Sequence, residues 1–296
     1  MTPQVSKADS APPRGPAARP VFIGGTGRSG TTVVARLLGR HSELHSIPVE
    51  TRFIVRHGGL CDLVEGETTF TRFKRRLLRR WYHREMSAGV RGLHRVMDRQ
   101  TIDASLDQLE RDAADDLVAA CAAFVHRLFD PLATEHGAHT WLEMTPDNVI
   151  AGTRLFRLFP DLRLVNCVRD GRDVACSVTS QSWGPDDADD ALDWWADRIR
   201  RGSDAVAALP PDRVLQVRLE DLVAGDRERE YARLLDFLGL DEDPAMRAYF
   251  ETAVSADRAH IGRWKEQIPD DRRAAFDAHY RALVAGLGPG ATLLSH

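Results

Sequence analysis

Lysine is nearly missing from this 296-residue chain. Only Lys7, Lys74 and Lys265 carry it, although lysine and arginine together number 40. The positive charge is almost all guanidinium, as GC-rich bacterial coding of the actinobacterial kind produces. Cysteine is sparse too: Cys61, Cys121, Cys167 and Cys176 make no C-x-x-C pair. That excludes a disulfide framework and fits a reduced, cytoplasmic compartment. No clustered ligand spacing points to a metal. No run of about 20 apolar residues is present, so no membrane span is expected. Residues 1–19, with Pro3, Pro12, Pro13 and Pro16, lack the apolar core of a signal peptide and read as a disordered tail. A net charge of -4 argues against a general nucleic-acid binder. No internal repeat stands out. The hydrophobic fraction of 43% and charged fraction of 28% suit a globular chain, and residues 20–296 read as one domain.

The most informative segment runs Val21-Phe22-Ile23-Gly24-Gly25-Thr26-Gly27-Arg28-Ser29-Gly30-Thr31-Thr32. A β-branched and aromatic run enters a glycine-rich turn, and the apolar run Val33–Leu38 follows as a helix. Strand, glycine loop and helix N-terminus together cradle an anion: glycines let backbone N–H groups converge, and the helix dipole adds partial positive charge. The spacing Gly25-x4-Gly30 is that of a nucleotide P-loop. Thr31 stands where an ATP or GTP enzyme carries lysine, and the basic side chain comes earlier, at Arg28. The loop suits a phosphate-like group other than the usual triphosphate.

Further along, Leu44–Val49 reads as a short strand and residues 52–130 as mainly helical. Leu106, Leu109, Ala113, Leu117, Cys121, Phe124 and Leu128 recur at steps of three and four, a helical stripe, and Ser105 with Gln108 resembles a capping box. Arg72, Lys74, Arg75, Arg76, Arg79, Arg80 and Arg84 alternate with Leu77, Leu78 and Trp81, as on a helix with one apolar side. Thr140–Glu143, Leu162–Val168 and Val214–Leu219 are strand candidates, the second apolar enough for a parallel strand covered on both faces. Helices are expected at Asp173–Thr179 and at Tyr231–Leu238, the latter closed by Gly239. The fold class is therefore α/β: a P-loop open parallel sheet flanked by helices, with a largely helical insertion, residues 52–135, after the second strand. Ligands bind such sheets at the C-terminal strand ends.

Three separated segments resemble the sulfotransferases that use 3'-phosphoadenosine 5'-phosphosulfate (PAPS). Gly27-Arg28-Ser29-Gly30-Thr31-Thr32 is similar to their 5'-phosphosulfate loop. Arg169 and Ser177, eight residues apart, match the spacing of their 3'-phosphate site. Gly262-Arg263-Trp264-Lys265 is similar to the segment that closes over the nucleotide. The resemblance implies PAPS as co-substrate, adenosine 3',5'-bisphosphate as product, no metal and a hydroxylated acceptor, whether small molecule, saccharide or tyrosyl. It implies nucleotide contacts from Gly27, Arg28, Ser29, Gly30, Thr31, Thr32, Arg169 and Ser177, with Arg258 and Lys265 as further candidates near the closing segment.

Pro48-Val49-Glu50-Thr51-Arg52-Phe53-Ile54-Val55-Arg56 resembles the tyrosylprotein sulfotransferase segment that supplies a catalytic glutamate, which implies Glu50 as general base and Arg28 as the group that meets charge on the leaving oxygen. Glu50 could also be a structural partner of Arg52 or Arg56; His45 and His57 are the reserve bases. Met144 stands where many relatives carry lysine, so Arg28 or Lys265 would have to compensate, and Leu219 stands where many carry tyrosine. A P-loop kinase-like transferase and a non-catalytic nucleotide-binding protein are the competing readings.

Overall fold

The computed structural model describes residues 19–86 and 89–287. The tail expected over 1–19 lies outside the described residues except for Arg19, as does the C-terminal segment 288–296. Five strands form one parallel sheet: β1 (Val21–Gly25), β2 (Leu44–Ser46), β3 (Thr140–Glu143), β4 (Arg163–Val168) and β5 (Val214–Arg218). Their order is β2-β3-β1-β4-β5. The register runs Val21 to Leu142 on one side of β1 and Val21 to Arg163 on the other. The chain leaves β1 for one side of the sheet and later crosses to the other, so the strand ends diverge above β1. That is where a crevice opens in such sheets.

Alternation along the strands divides the core. Phe22 and Leu164 join one hydrophobic cluster with the insertion, while Val21, Ile23 and Val165 join another on the opposite face with α1 (Thr31–Leu38). A third cluster packs α4 (Gly171–Val178) and α5 (Ala188–Ala207) against Trp264, Phe276 and Tyr280. All four cysteines are buried free thiols.

The insertion departs from its expected form in three ways. The stripe from Leu106 to Leu128 is divided between α2 (Arg99–Asp112) and α3 (Leu117–Glu135), because Asp116 caps a new helix by accepting from the Ala119 N–H. Ser105 is not a cap. It is buried inside α2, whose cap is Asp98, accepting from the Thr101 N–H at 2.7 Å. A short antiparallel pair, Arg84–Met86 with Gly89–Arg91, interrupts the helices. The basic stretch is a helix, Phe70–Arg76, continued by a π-turn over Leu77–Trp81. It buries Phe73, Leu77 and Trp81 and leaves Arg72, Arg75, Arg79 and Arg80 exposed, the solvated face. α3 is long and apolar enough to cross a membrane, unlike anything expected from the sequence. Here its Phe129 ring packs 5.1 Å from that of Trp141, and its Asp130 accepts from the Trp141 indole at 2.8 Å.

Asp243 fastens the helix Pro244–Ala253 to the turn after α1. Burial would raise its pKa, but the N–H groups of Met246, Ser42 and Ala245 outweigh that and hold it down at about 2. A depressed carboxyl stabilises the fold above its unfolded pKa and ceases to do so as pH falls through the folded one. The urea midpoint should therefore carry an Asp243 component that is lost from about pH 4 towards pH 2. Asp243→Asn should remove that component and flatten this part of the profile.

Candidate active site

β1 ends in the glycine loop, and three of the next residues take left-handed backbone: Gly27 at φ 89, Arg28 at φ 59 and Gly30 at φ 97. Left-handed backbone of this kind lets the N–H groups of a loop converge as an anion nest, here at the N-terminus of α1. A side chain on Gly30 would be strained at this φ, and its Cβ would lie 2.8 Å from Leu219 Cδ1. Leu219, where an aromatic residue was expected in relatives, is thus the side chain that backs the loop. Thr31 is buried and Thr32 exposed as α1 begins.

Around this nest the fold gathers guanidinium groups. Arg28 reaches from the loop to α4 and donates from Nε to Ser177 Oγ at 2.9 Å. Partial burial, then the positive charges of Arg169 and Arg263, lower its pKa. Such mutual repulsion is what a bound anion relieves. Arg169, at the end of β4 and 6% exposed, does more than the expected ligand contact. Its Nη1 donates to the Arg28 carbonyl at 3.3 Å, and its Nη2 to the carbonyls of Ala259 and His260 at 2.9 and 2.8 Å. It also pairs with buried Asp173 at 3.4 Å. Arg169 therefore joins the loop, α4 and the closing segment. Its Nε, the Arg263 Nε and the Ser29 Oγ are buried polar atoms with no hydrogen-bond partner. Three orphaned donors beside an N–H nest fit a highly oxygenated anion.

Asp173 fixes the closing segment. It accepts from the N–H groups of Gly262 at 2.8 Å and Trp264 at 3.1 Å. That seats Arg263, rather than Lys265, at the cluster. Lys265 is exposed, with its ammonium 6.0 Å from the Trp264 ring centroid. Arg258 is also exposed, and among the described residues no contact joins either to the loop.

The second half of the crevice follows β2. Glu50 Oε2 accepts from Arg52 Nε at 2.8 Å and Nη2 at 2.5 Å, the structural pairing the sequence allowed. Arg52 itself adopts φ 59. Glu143, fully buried at the end of β3, holds this segment in place. Its two oxygens accept from the Thr51 N–H at 3.1 Å, the Thr145 N–H at 3.1 Å, the Thr145 hydroxyl at 2.5 Å and the Asn148 amide at 2.7 Å. Burial raises its pKa, and the four donors oppose the rise. Asn148 also donates to the Ile23 carbonyl in β1, so the Glu50 segment is tied to the strand that launches the loop. Met144 lies partly buried against the core around α1.

Arg198 of α5 completes the rim, donating to the Thr26 carbonyl at 2.6 Å and to Asp147 at 2.5 Å, while Arg56 pairs with the other Asp147 oxygen. His57 pairs instead with Asp62, and His45 packs on His136 with ring centroids 4.1 Å apart, so neither stands with these residues.

Arg263, Glu143 and Arg198 were not singled out from sequence. Only Arg263 had a signal, its place in the quoted closing segment. The structure resembles the sulfotransferase domain of the Synechococcus PCC 7002 olefin synthase (TM-score 0.56, 19% identity, covering 92% of this chain and 97% of that one). It also resembles the sulfotransferase domain from the curacin biosynthetic pathway (TM-score 0.55, 18% identity, 90% and 97% covered). A third likeness is to a sulfotransferase from Alicyclobacillus acidocaldarius (TM-score 0.50, 15% identity, 94% and 96% covered). At these identities the likeness speaks for the fold. Comparison with curated protein sequences returns no match. The sequence model described as the sulfotransferase family matches residues 20–244, which include the loop, Arg169 and α4 with Ser177, and on that match the chain belongs to the sulfotransferase family.

Proposed function

We propose that this enzyme moves a sulfuryl group from PAPS to a hydroxyl, with Glu50 as general base. One observation carries the reading: Arg28, Arg169 and Arg263 converge with orphaned buried donors on a single N–H nest. An ordinary nucleotide needs one such anion site. A nucleotide with phosphate at both ends of its ribose needs two, and here the nest leads directly into the Arg28–Ser177–Arg169 corner.

Residues 27–32 would hold the 5' end, and Ser177, Arg263 and Arg169 Nε the 3'-phosphate. PAPS supplies the group, formally SO3, that joins the acceptor oxygen as the bond from sulfur to the phosphate oxygen breaks. Glu50 takes the hydroxyl proton. Arg28 meets the charge that develops on the leaving oxygen, an electrostatic role of a few kcal/mol for preorganised donors. Arg198, bonded to the Thr26 carbonyl, keeps a guanidinium at the loop where Met144 offers none.

Titration calorimetry tests the nucleotide half. Adenosine 3',5'-bisphosphate should bind better than adenosine 5'-monophosphate by about 1.5–3 kcal/mol, the worth of charge-assisted hydrogen bonds to the extra phosphate. ATP with Mg²⁺ should bind no better than the monophosphate. Equal affinity for the bisphosphate and the monophosphate would defeat the assignment.

A further inference from the structure

Trp183 is the one large hydrophobic side chain among the described residues that is exposed, at 54%. Its neighbour in space is Trp194, with ring centroids 5.9 Å apart and planes inclined at 50°. A Cβ placed on Gly27 would lie 3.8 Å from Cη2 of both indoles. The pair therefore stands directly over the anion loop. Trp194 is half-buried against the cluster around α4 and α5, but core packing does not explain Trp183, which lies outside every core cluster. The loop that presents Trp183 is held tightly: a Cβ on Gly184 would come within 2.3 Å of Val178 Cγ1, so this turn sits hard against the end of α4. An exposed indole on a pinned turn at the mouth of a site is a ready-made wall for a ligand.

The same rim runs on to Glu50. Arg198 lies 5.2 Å from the Trp194 ring centroid and pairs with Asp147, which pairs with Arg56; Arg52, whose carbonyl accepts from the Arg56 N–H at 2.9 Å, pairs with Glu50. A chain of side-chain contacts thus leads from the indole corner beside the loop to the segment that carries the carboxylate.

We propose that Trp183 and Trp194 form the platform on which the acceptor's ring stacks, and that this acceptor is a phenol. The proposal rests on the sulfotransferase reading of the same site and adds its substrate class. Two observations select the class. Indole faces in this corner favour a flat aromatic ring, which packs offset or edge-on at separations of about 4.5–7 Å. The acid–base side agrees. A carboxylate is a weak base, and here a guanidinium lies against it. A phenol, with pKa of about 10, is roughly six units easier to deprotonate than water at about 15.7, which stands for the aliphatic hydroxyls of sugars. A phenol asks least of Glu50.

The test uses 2-naphthol as the aromatic probe, with cyclohexanol and N-acetylglucosamine as aliphatic and saccharide comparisons. Binding is followed by tryptophan fluorescence, with and without saturating adenosine 3',5'-bisphosphate, and turnover with labelled PAPS. Wild type should bind and sulfate 2-naphthol in preference to the other two. Trp183→Ala should weaken 2-naphthol binding and raise its KM about tenfold, while bisphosphate affinity stays at the wild-type value. Trp183→Phe, which keeps a ring, should recover most of the loss. Preference for the saccharide, absence of 2-naphthol binding to wild type in either state, or an unchanged KM in Trp183→Ala would each overturn the platform. Failure of the bisphosphate to bind wild type would instead defeat the nucleotide assignment, and the naphthol titration without nucleotide would still decide the platform.

Discussion

Glu50→Gln is expected to bind adenosine 3',5'-bisphosphate as the wild type does and to turn over at least about 100-fold more slowly. The substitution keeps the size of the side chain and one oxygen for Arg52, so the segment's geometry survives. It removes the group that can accept the acceptor's proton. Because the nucleotide cluster of Arg28, Arg169 and Arg263 is built from the loop, β4 and the closing segment, and not from the Glu50 segment, affinity and turnover should separate. Calorimetry and a labelled-PAPS assay on the same preparation read the two. Near-normal turnover would leave Glu50 as a partner for Arg52 alone.

The second large effect belongs to a residue that touches neither nucleotide nor acceptor. Glu143→Ala should lower stability by about 3 kcal/mol or more, because the N–H groups of Thr51 and Thr145 and the Asn148 amide all lose a buried acceptor, each at about 1–3 kcal/mol when nothing replaces it. Glu143→Gln should cost less yet still destabilise, since one acceptor oxygen becomes a donor facing other donors. Urea denaturation measures both. Where Glu143→Gln stays folded, its KM for the acceptor should rise more than its bisphosphate affinity falls, because Thr51 adjoins Glu50 and no Glu143 contact reaches Arg28. Wild-type stability in both variants would show that the loops around Glu50 are held by something else.

The parts of this site that the sequence disclosed are those written in local spacing. Gly30 declares the loop because its positive φ favours glycine, and Gly25 because a Cβ there would lie 2.4 Å from the Cys167 carbonyl oxygen; Arg169, at the end of β4, and Ser177, in α4, keep a fixed interval because one short turn joins strand to helix. The sheet was legible for the same reason: β4 is a nearly continuous apolar run, as in a strand covered on both faces. What stayed hidden depends on distant pairing. Asp173 looks like any acid in the first turn of a helix until the chain returns about ninety residues later and places Gly262 and Trp264 above it. Glu143 reads as the polar end of a strand, and Arg198 as one more charge on a long helix. Trp183 follows a polar turn with no periodicity to mark it. The insertion shows the converse error: a three–four stripe continued through residues 113–116 although the backbone turned there, since periodicity survives a short break when both helices face the same core.

Among the described residues, the cluster proposed to hold the nucleotide contains no amine. Its cations are Arg28, Arg169 and Arg263, while Lys74 lies in the insertion and Lys265 points away on the surface. Acetylation or carbamylation of lysine therefore has no target in this anion site, whereas a dicarbonyl that condenses with guanidinium groups has three. As the proposed grip on phosphate, this cluster stands outside the amine chemistry by which lysine-built phosphate sites are blocked.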